Sequence, residues 1–338
     1  MTMEIVLASV GFTIAALCAG VMGFAIQRGA TCTVAAVDEV VRKRRFARLA
    51  SMVEASMWVA GGLVLAQTFH LLPTMPAGYA VGYLTVLGGA LLGLGAFVNR
   101  ACVFGAIARL GSGEWAHVVT PAGFYVGCLT VGLLFSFPAH EKVAHGSPVL
   151  QAPAWIALLF VGFVVWRLAR ALWIPPSSFS MHTLRQRIRE RILARVWTPH
   201  AATTVIGITF LFMLLLVGAW AYTDVLAELA RGMAGSLVAR SLLLVALFAG
   251  AMVGGFTAGR FRSTRISFAQ VAKCFAGGVL MGWGSLLIPG GNDGLILVGM
   301  PLLWPYAWIA FASMCAAIGC ALLLQNAVSG LSPQRTVS

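Results

Sequence analysis

The chain has 338 residues, of which 60% are hydrophobic and only 10% charged, with a mean hydropathy of +0.91. Apolar runs at this density exclude a soluble globular domain, because a helix of about 20 apolar residues crosses the hydrocarbon core of a bilayer. The net charge of +13 then reads as the basic loops of a polytopic membrane protein and not as a nucleic-acid footprint, and seven cysteines spread through apolar runs do not make a secreted disulfide framework.

In chain order, MTMEIVLASV has no basic residue ahead of its apolar stretch, so no cleavable signal peptide is expected. The first span runs from about Ile5 to Ile26 and ends at Gln27-Arg28. Gly29-Ala30-Thr31-Cys32-Thr33 follows, then a short segment to Val41 and the basic run 42–48. Span two is about 50–71, with Pro73 and Pro76 in the turn after it. Span three, about 79–98, leads into Asn99-Arg100-Ala101-Cys102, and the apolar segment 103–110 is too short to cross. Spans four and five are about 116–136 and 153–174. From Ser180 to Trp197, Met181, Leu184, Ile188, Ile192 and Val196 recur at helical spacing among arginines, which predicts an amphipathic helix on the membrane surface. Spans six to nine are about 201–222, 237–258, 268–289 and 303–325.

Nine spans put the termini on opposite sides. With the N-terminus outside, 20 of the 23 basic residues face the cytoplasm, and only Lys142, Arg231 and Arg240 lie outside.

The stretch Gly88–Gly105, GGALLGLGAFVNRACVFG, returns as Gly277–Gly294, GGVLMGWGSLLIPGGNDG. A shift of 189 pairs Gly88, Gly89, Gly93, Gly95 and Gly105 with Gly277, Gly278, Gly282, Gly284 and Gly294. Spans three and eight are five crossings apart and run in opposite directions. Segments folding back after each would therefore meet near the midplane from opposite faces, as in inverted-repeat transporters. The expected fold is all-α and polytopic, with about nine transmembrane helices, short re-entrant helices and two pseudo-symmetric halves. Residues 1–150 carry the Cys32 and Cys102 motifs, 151–200 the linking span and basic helix, and 201–330 the second half. A weaker echo, Gly23, Phe24 and Arg28 with Gly255, Phe256 and Arg260, joins segments running the same way and does not fit an inverted repeat.

GFAIQRGATCTVAAVDEV at 23–40, GGALLGLGAFVNRACVFGAIARLGSGE at 88–114 and GGVLMGWGSLLIPGGNDG together resemble the YeeE/YedE family of sulfur-transport membrane proteins. The resemblance implies an inner-membrane protein, thiosulfate uptake, and cysteines along a central path whose thiols pass the anion inward. It also implies a small cytoplasmic sulfur carrier of the TusA type as a partner. Cys102 occupies the first-half motif position, and Cys32 the cysteine of the N-terminal RG-x-x-C segment. The second-half motif has Gly-Cys-Asn where this chain has Gly290-Gly291-Asn292, so its thiol is missing, and Asp293 adds a carboxylate beside it.

Cys102 and Cys32 are the leading site candidates, since a buried thiol donates weakly to a polarizable sulfur ligand without carrying a fixed charge. Cys18, Cys128, Cys274, Cys315 and Cys320 read as small buried hydrophobes. Arg28, Asn99, Arg100 and Asn292, with Gly105, Gly290 and Gly291, stand at the ends of glycine-broken segments, where donors and positive field would serve an anion. For the two arginines, topology alone is a sufficient account. Lys273 and Glu54, near span ends, read as interfacial. The basic helix reads as a lipid anchor more than a docking site. His140, His145, His182 and His200 lack metal-site spacing, and no enzyme motif or nucleotide-binding loop is present, so no cofactor is expected.

Three functions follow from this sequence. The first is a permease for a thiosulfate-like anion using Cys102 and Cys32. The second carries a different solute, such as a selenium or another sulfur species, and predicts that Gly291→Cys raises thiosulfate uptake. The third is a membrane subunit that docks a cytoplasmic sulfurtransferase and transports nothing.

Overall fold

The computed structural model describes residues 2–135, 140–172, 194–232 and 237–331. The first half contains α1 (Thr2–Gly29), α2 (Thr33–Lys43), α3 (Ala47–Thr68), α4 (Tyr83–Asn99), α5 (Val103–Gly111) and α6 (Val119–Phe135). A single helix, α7 (Trp155–Leu172), links it to the second. There follow α8 (Pro199–Val217), α9 (Tyr222–Ala230), α10 (Leu237–Thr257), α11 (Phe268–Leu287), α12 (Asn292–Gly294, continued by a π-helical turn at Leu295–Gly299) and α13 (Pro305–Leu331).

Each of the nine expected spans coincides with one of the longer helices. Seven continuous helical stretches are long and apolar enough to cross a membrane, and the α11–α12 pair, bent by 50°, brings the number to eight. The linking helix α7 carries Arg167 and Arg170 near its end. Span six ends earlier than expected. The chain leaves α8 at Gly218, whose φ of +84° suits a residue without a Cβ, and Tyr222 begins a separate short helix. Most of the expected amphipathic helix, 180–197, lies outside the described residues.

The halves pack by one exchange rule, in which α1 to α6 are replaced by α8 to α13. The contact of α6 with α11 has its mate in α13 with α4, that of α1 with α10 in α8 with α3, and that of α6 with α9 in α13 with α2. The α4–α11 and α1–α8 contacts map onto themselves and so mark the symmetry axis.

Glycine allows the axis contact to close. A Cβ on Gly88 would lie 2.8 Å from the Gly284 carbonyl oxygen, and one on Gly284 2.6 Å from the Gly88 oxygen. Gly95 and Gly277 repeat this reciprocity at 2.6 Å in both directions. Gly88 meets Gly284 while Gly95 meets Gly277, so the two helices are antiparallel and related by a two-fold axis across their length. That is the geometry of an inverted repeat, with small residues permitting close backbone approach.

The shift of 189 extends beyond the glycine motifs. It carries Gly29 to Gly218, Thr33 at the start of α2 to Tyr222 at the start of α9, and Val103 at the start of α5 to Asn292 at the start of α12. The weaker echo has a different origin. Helices α1 and α10 are parallel neighbours, with Gly23 against Leu247 and Ala251 and Gln27 against Gly254, whereas the repeat mate of α1 is α8.

Glu54 is interfacial but not idle. Its carboxylate accepts from Arg167 Nη2 of α7 at 2.5 Å and pairs with His200 Nδ1 of α8, which ties the linking helix to α3 and α8.

Candidate functional site

The four short helices begin at one place. Each is preceded by a residue with extended backbone: Cys32 before α2, Cys102 before α5, Ala221 before α9 and Gly291 before α12. None of these is the Ser, Thr, Asp or Asn that normally caps a helix start. Under the 189 shift Cys32 corresponds to Ala221 and Cys102 to Gly291, so both thiols belong to the first half.

On the first-half side, Cys102 is fully buried and Cys32 is 9% exposed. Their side chains are neighbours at the starts of α2 and α5. The Thr33 backbone N–H donates to Cys102 Sγ at 3.1 Å. The Thr33 hydroxyl donates to Asn292 Oδ1 at 3.5 Å, joining the two halves. On the second-half side a carboxylate takes the place of the sulfur: the Thr223 N–H donates to Asp293 Oδ2 at 3.1 Å, and its hydroxyl donates to Oδ1. The buried Asn292 Nδ2 has no hydrogen-bond partner among the described residues, an unsatisfied donor at the centre of the molecule.

A cavity approaches this cluster from each end of the α4–α11 pair. One, of about 440 Å³, reaches Cys32 and Gly105 and is lined by Arg48, Arg100, Arg109 and Arg260. The other, of about 350 Å³, reaches Gly290 and Gly294 and is lined by Asp224, Glu228 and Arg231. Under the repeat, Arg100 and Arg109 correspond to Pro289 and Val298 in the second cavity, so the basic wall belongs to one end. Arg109 is paired with Glu114 at 2.7 Å and Arg48 with Glu39 at 3.5 Å. Arg100 and Arg260 have no ion-pair partner among the described residues. At the rim, hydrogen bonding to His117 and the neighbouring Arg109 guanidinium hold Glu114 below the usual carboxylate range.

The sequence-derived candidates therefore divide. Cys32, Cys102, Gly105, Gly291 and Asn292 gather at the centre, Arg100 lines the basic cavity, and Gly290, at φ +135°, lines the opposite one. Asn99 has a local structural task. Its Nδ2 donates to the Ala101 carbonyl at 2.8 Å and its Oδ1 accepts from Thr120 at 3.0 Å, which shapes the turn before Cys102. Arg28 is turned away from the cavity. Its guanidinium donates to the Ala194 carbonyl at 2.6 Å and to Thr257 Oγ1 at 2.8 Å, and it lies over the Phe24 ring.

Sequence reading missed Thr33, Thr223 and the whole of α9. The signal was present, because applying the 189 shift to Cys32-Thr33 lands on Ala221-Tyr222. Among the described residues no group of three His, Cys, Asp or Glu side chains is arranged to hold a metal ion.

Gly291→Cys does not restore a thiol at no cost. A Cβ there would fall inside van der Waals distance of Thr223 Oγ1 and 2.7 Å from Thr223 Cβ. Overpacking of this kind costs about 1–3 kcal/mol. The variant is expected to melt below the parent in a thermal-shift assay and to show no gain in thiosulfate uptake. A wild-type Tm with raised uptake would mean that Thr223 does not occupy the lost thiol's space.

Comparison with known proteins agrees with this architecture. A family model described as sulphur transport matches residues 28–322. A relative named thiosulfate transporter TsuA, from Escherichia coli (strain K12), is 23% identical over 326 residues, covering 88% of this chain and 90% of the relative.

Proposed function

From the premise that the chain belongs to the sulphur-transport family, we propose that it carries a small sulfur-containing anion of the thiosulfate type across the inner membrane. The anion passes between the two cavities, through the junction where the four short helices begin. The observation that carries this reading is the Cys32–Cys102 pair, sealed at the end of one cavity and facing the second-half cluster across the Thr33–Asn292 bond. Helix starts present backbone N–H groups and the positive end of the helix dipole to an anion. The thiols add polarizable donors that do not trap the ion by fixed charge. Free guanidiniums at Arg100 and Arg260 supply a receiving field at the basic end.

The same reading places the N-terminus outside and the basic end in the cytoplasm, because the bias of 20 to 3 basic residues demands it. It divides the chain into two half-transporters, 1–150 and 201–330, joined by 151–200. The cytoplasmic clusters offer a surface for an acidic partner such as a TusA-type carrier, and the sequence expected to form the amphipathic helix, 180–197, would serve as a lipid anchor. Cavities bordered by glycine approach the centre from both ends, which favours passage over a purely scaffolding subunit. A second reading, another sulfur or selenium species, is favoured by the missing thiols at Ala221 and Gly291 and by the carboxylate of Asp293 among the donors.

The test is uptake of radiolabelled thiosulfate by cells lacking their own thiosulfate permeases, with selenite and sulfate as competitors. Saturable uptake displaced by unlabelled thiosulfate supports the first reading. Its absence, with the protein confirmed in the membrane, removes thiosulfate as substrate.

A further inference from the structure

At the same end of the α4–α11 pair as the basic cavity, another cavity of about 360 Å³ opens between the end of α4 and the start of α11. Its lining includes Cys274, His117, Glu114, Arg109, Arg100 and Lys273. Three of these form a chain. Cys274 Sγ lies 3.7 Å from His117 Nδ1. His117 Nε2 lies 3.7 Å from Glu114 Oε2, which also accepts from Arg109 Nη1 at 2.7 Å.

Cys274 and His117 are 1% and 2% exposed. A thiol that only fills space needs no imidazole at its sulfur, so the space-filling role read from the sequence does not account for this arrangement. In the tautomer that carries its proton on Nε2, facing the Glu114 carboxylate, Nδ1 accepts from the thiol. A nucleophile beside a base, with the base oriented by a third group, is the arrangement that activates a cysteine. Arg100, Arg109 and Glu114 also line the cavity that reaches Cys32, so the two spaces share a wall. Arg100 and Lys273 have no ion-pair partner among the described residues and can receive an oxyanion.

We propose that Cys274 is a sulfur-accepting thiol, and that the protein transfers the terminal sulfur of thiosulfate to it at the end where the anion leaves the path. The proposal rests on the substrate being an anion with a transferable terminal sulfur. His117 Nδ1 takes the Cys274 proton. The thiolate attacks the terminal sulfur of thiosulfate, a new S–S bond forms, and the old one breaks with its electron pair leaving on sulfite. The products are a Cys274 persulfide anion and sulfite, with the proton held on His117. No outside oxidant or reductant is needed. A thiol acceptor, or cyanide in the assay, then removes the outer sulfur and regenerates Cys274. Cys274 and His117 are the reacting groups, and Glu114 is a positioning residue.

The experiment uses purified full-length protein with thiosulfate. Sulfite release and the mass of the Cys274 peptide are measured, then thiocyanate formation with added cyanide, while radiolabelled uptake is followed in cells on the same variants. The expected result is one added sulfur on Cys274, absent in Cys274→Ser, with uptake of thiosulfate retained in that variant. His117→Gln is expected to slow sulfite release by about 100-fold, the usual worth of a positioned base, and it gives the same readout should Cys274→Ser fail to fold. Glu114→Gln is expected to slow sulfite release, and Glu114→Asp, which keeps the carboxylate, to recover part of the rate.

Sulfur on Cys274 without uptake would uphold this proposal and remove the transport reading. Uptake with no sulfur on Cys274, or with equal sulfur on Cys32 and Cys102, would overturn the proposal and leave transport standing. Neither uptake nor labelling would overturn both.

Discussion

Cys102→Ala is expected to lower thiosulfate uptake by about 10- to 100-fold, the equivalent of one hydrogen bond to a charged group at roughly 1.5–3 kcal/mol. Cys102 Sγ already accepts the Thr33 N–H, which orients the sulfur and leaves its own proton free to donate. Alanine removes that donor and leaves the Thr33 N–H unpaired in a buried site. Cys32→Ala acts at the inner end of the basic cavity and is expected to cost less, because water reaching that cavity can replace part of its role. The double variant is expected to fall short of the sum, since the two side chains are neighbours and residues in contact do not act independently. Initial uptake rates, normalised to protein in the membrane, measure all three. A double variant that transports at the parent rate would end the thiol account of the path and leave the helix starts and arginines as the recognition elements.

Gly95→Leu and Gly277→Leu are each expected to remove most of the folded protein from the membrane. Each would push a side chain into the backbone of the facing helix, where a single Cβ already comes within 2.6 Å of a carbonyl oxygen. Backbone cannot yield as a flexible side chain can. The cost therefore lies at or above the usual 1–3 kcal/mol of an overpacked site, comparable to much of the stability of a typical protein. Gly162→Leu on α7 is the control, because a Cβ there meets nothing within 4 Å. Size-exclusion profiles of fluorescent fusions compare the three. A normal monodisperse peak for Gly95→Leu would mean that α4 and α11 do not meet along these glycines, and the two-fold axis argued from them would fall.

Much of the fold was legible because it follows from local chemistry. Apolar runs of near 20 residues located the long helices, since a helix satisfies its backbone groups within a single segment in hydrocarbon. The glycine spacing of 189 revealed the repeat, because close helix contact restricts residue type at fixed positions. The site was legible where it was written in cysteines and glycines. It was illegible where ordinary residues carry it. Thr33 and Thr223 look like any helix-starting threonines, and α9 was absorbed into span six because Ala219-Trp220-Ala221-Tyr222 continues an apolar run. Arg28 and Arg100 were alike in sequence, yet one is folded into a packing contact and the other faces a cavity.

By itself the sequence determined that this protein is a helical membrane protein, that it is built from a repeated unit, and that its motif thiols are confined to one half. Each of these depends on composition or spacing along the chain, which needs no knowledge of what lies across from a residue. Only the tertiary structure decided that the four short helices begin at a common point and that a carboxylate in one half answers a sulfur in the other. It also decided that Cys274, 157 positions from His117, meets its imidazole. Such contacts form when helices distant in sequence pack face to face, and their partners are selected by the geometry of that packing and not by spacing along the chain.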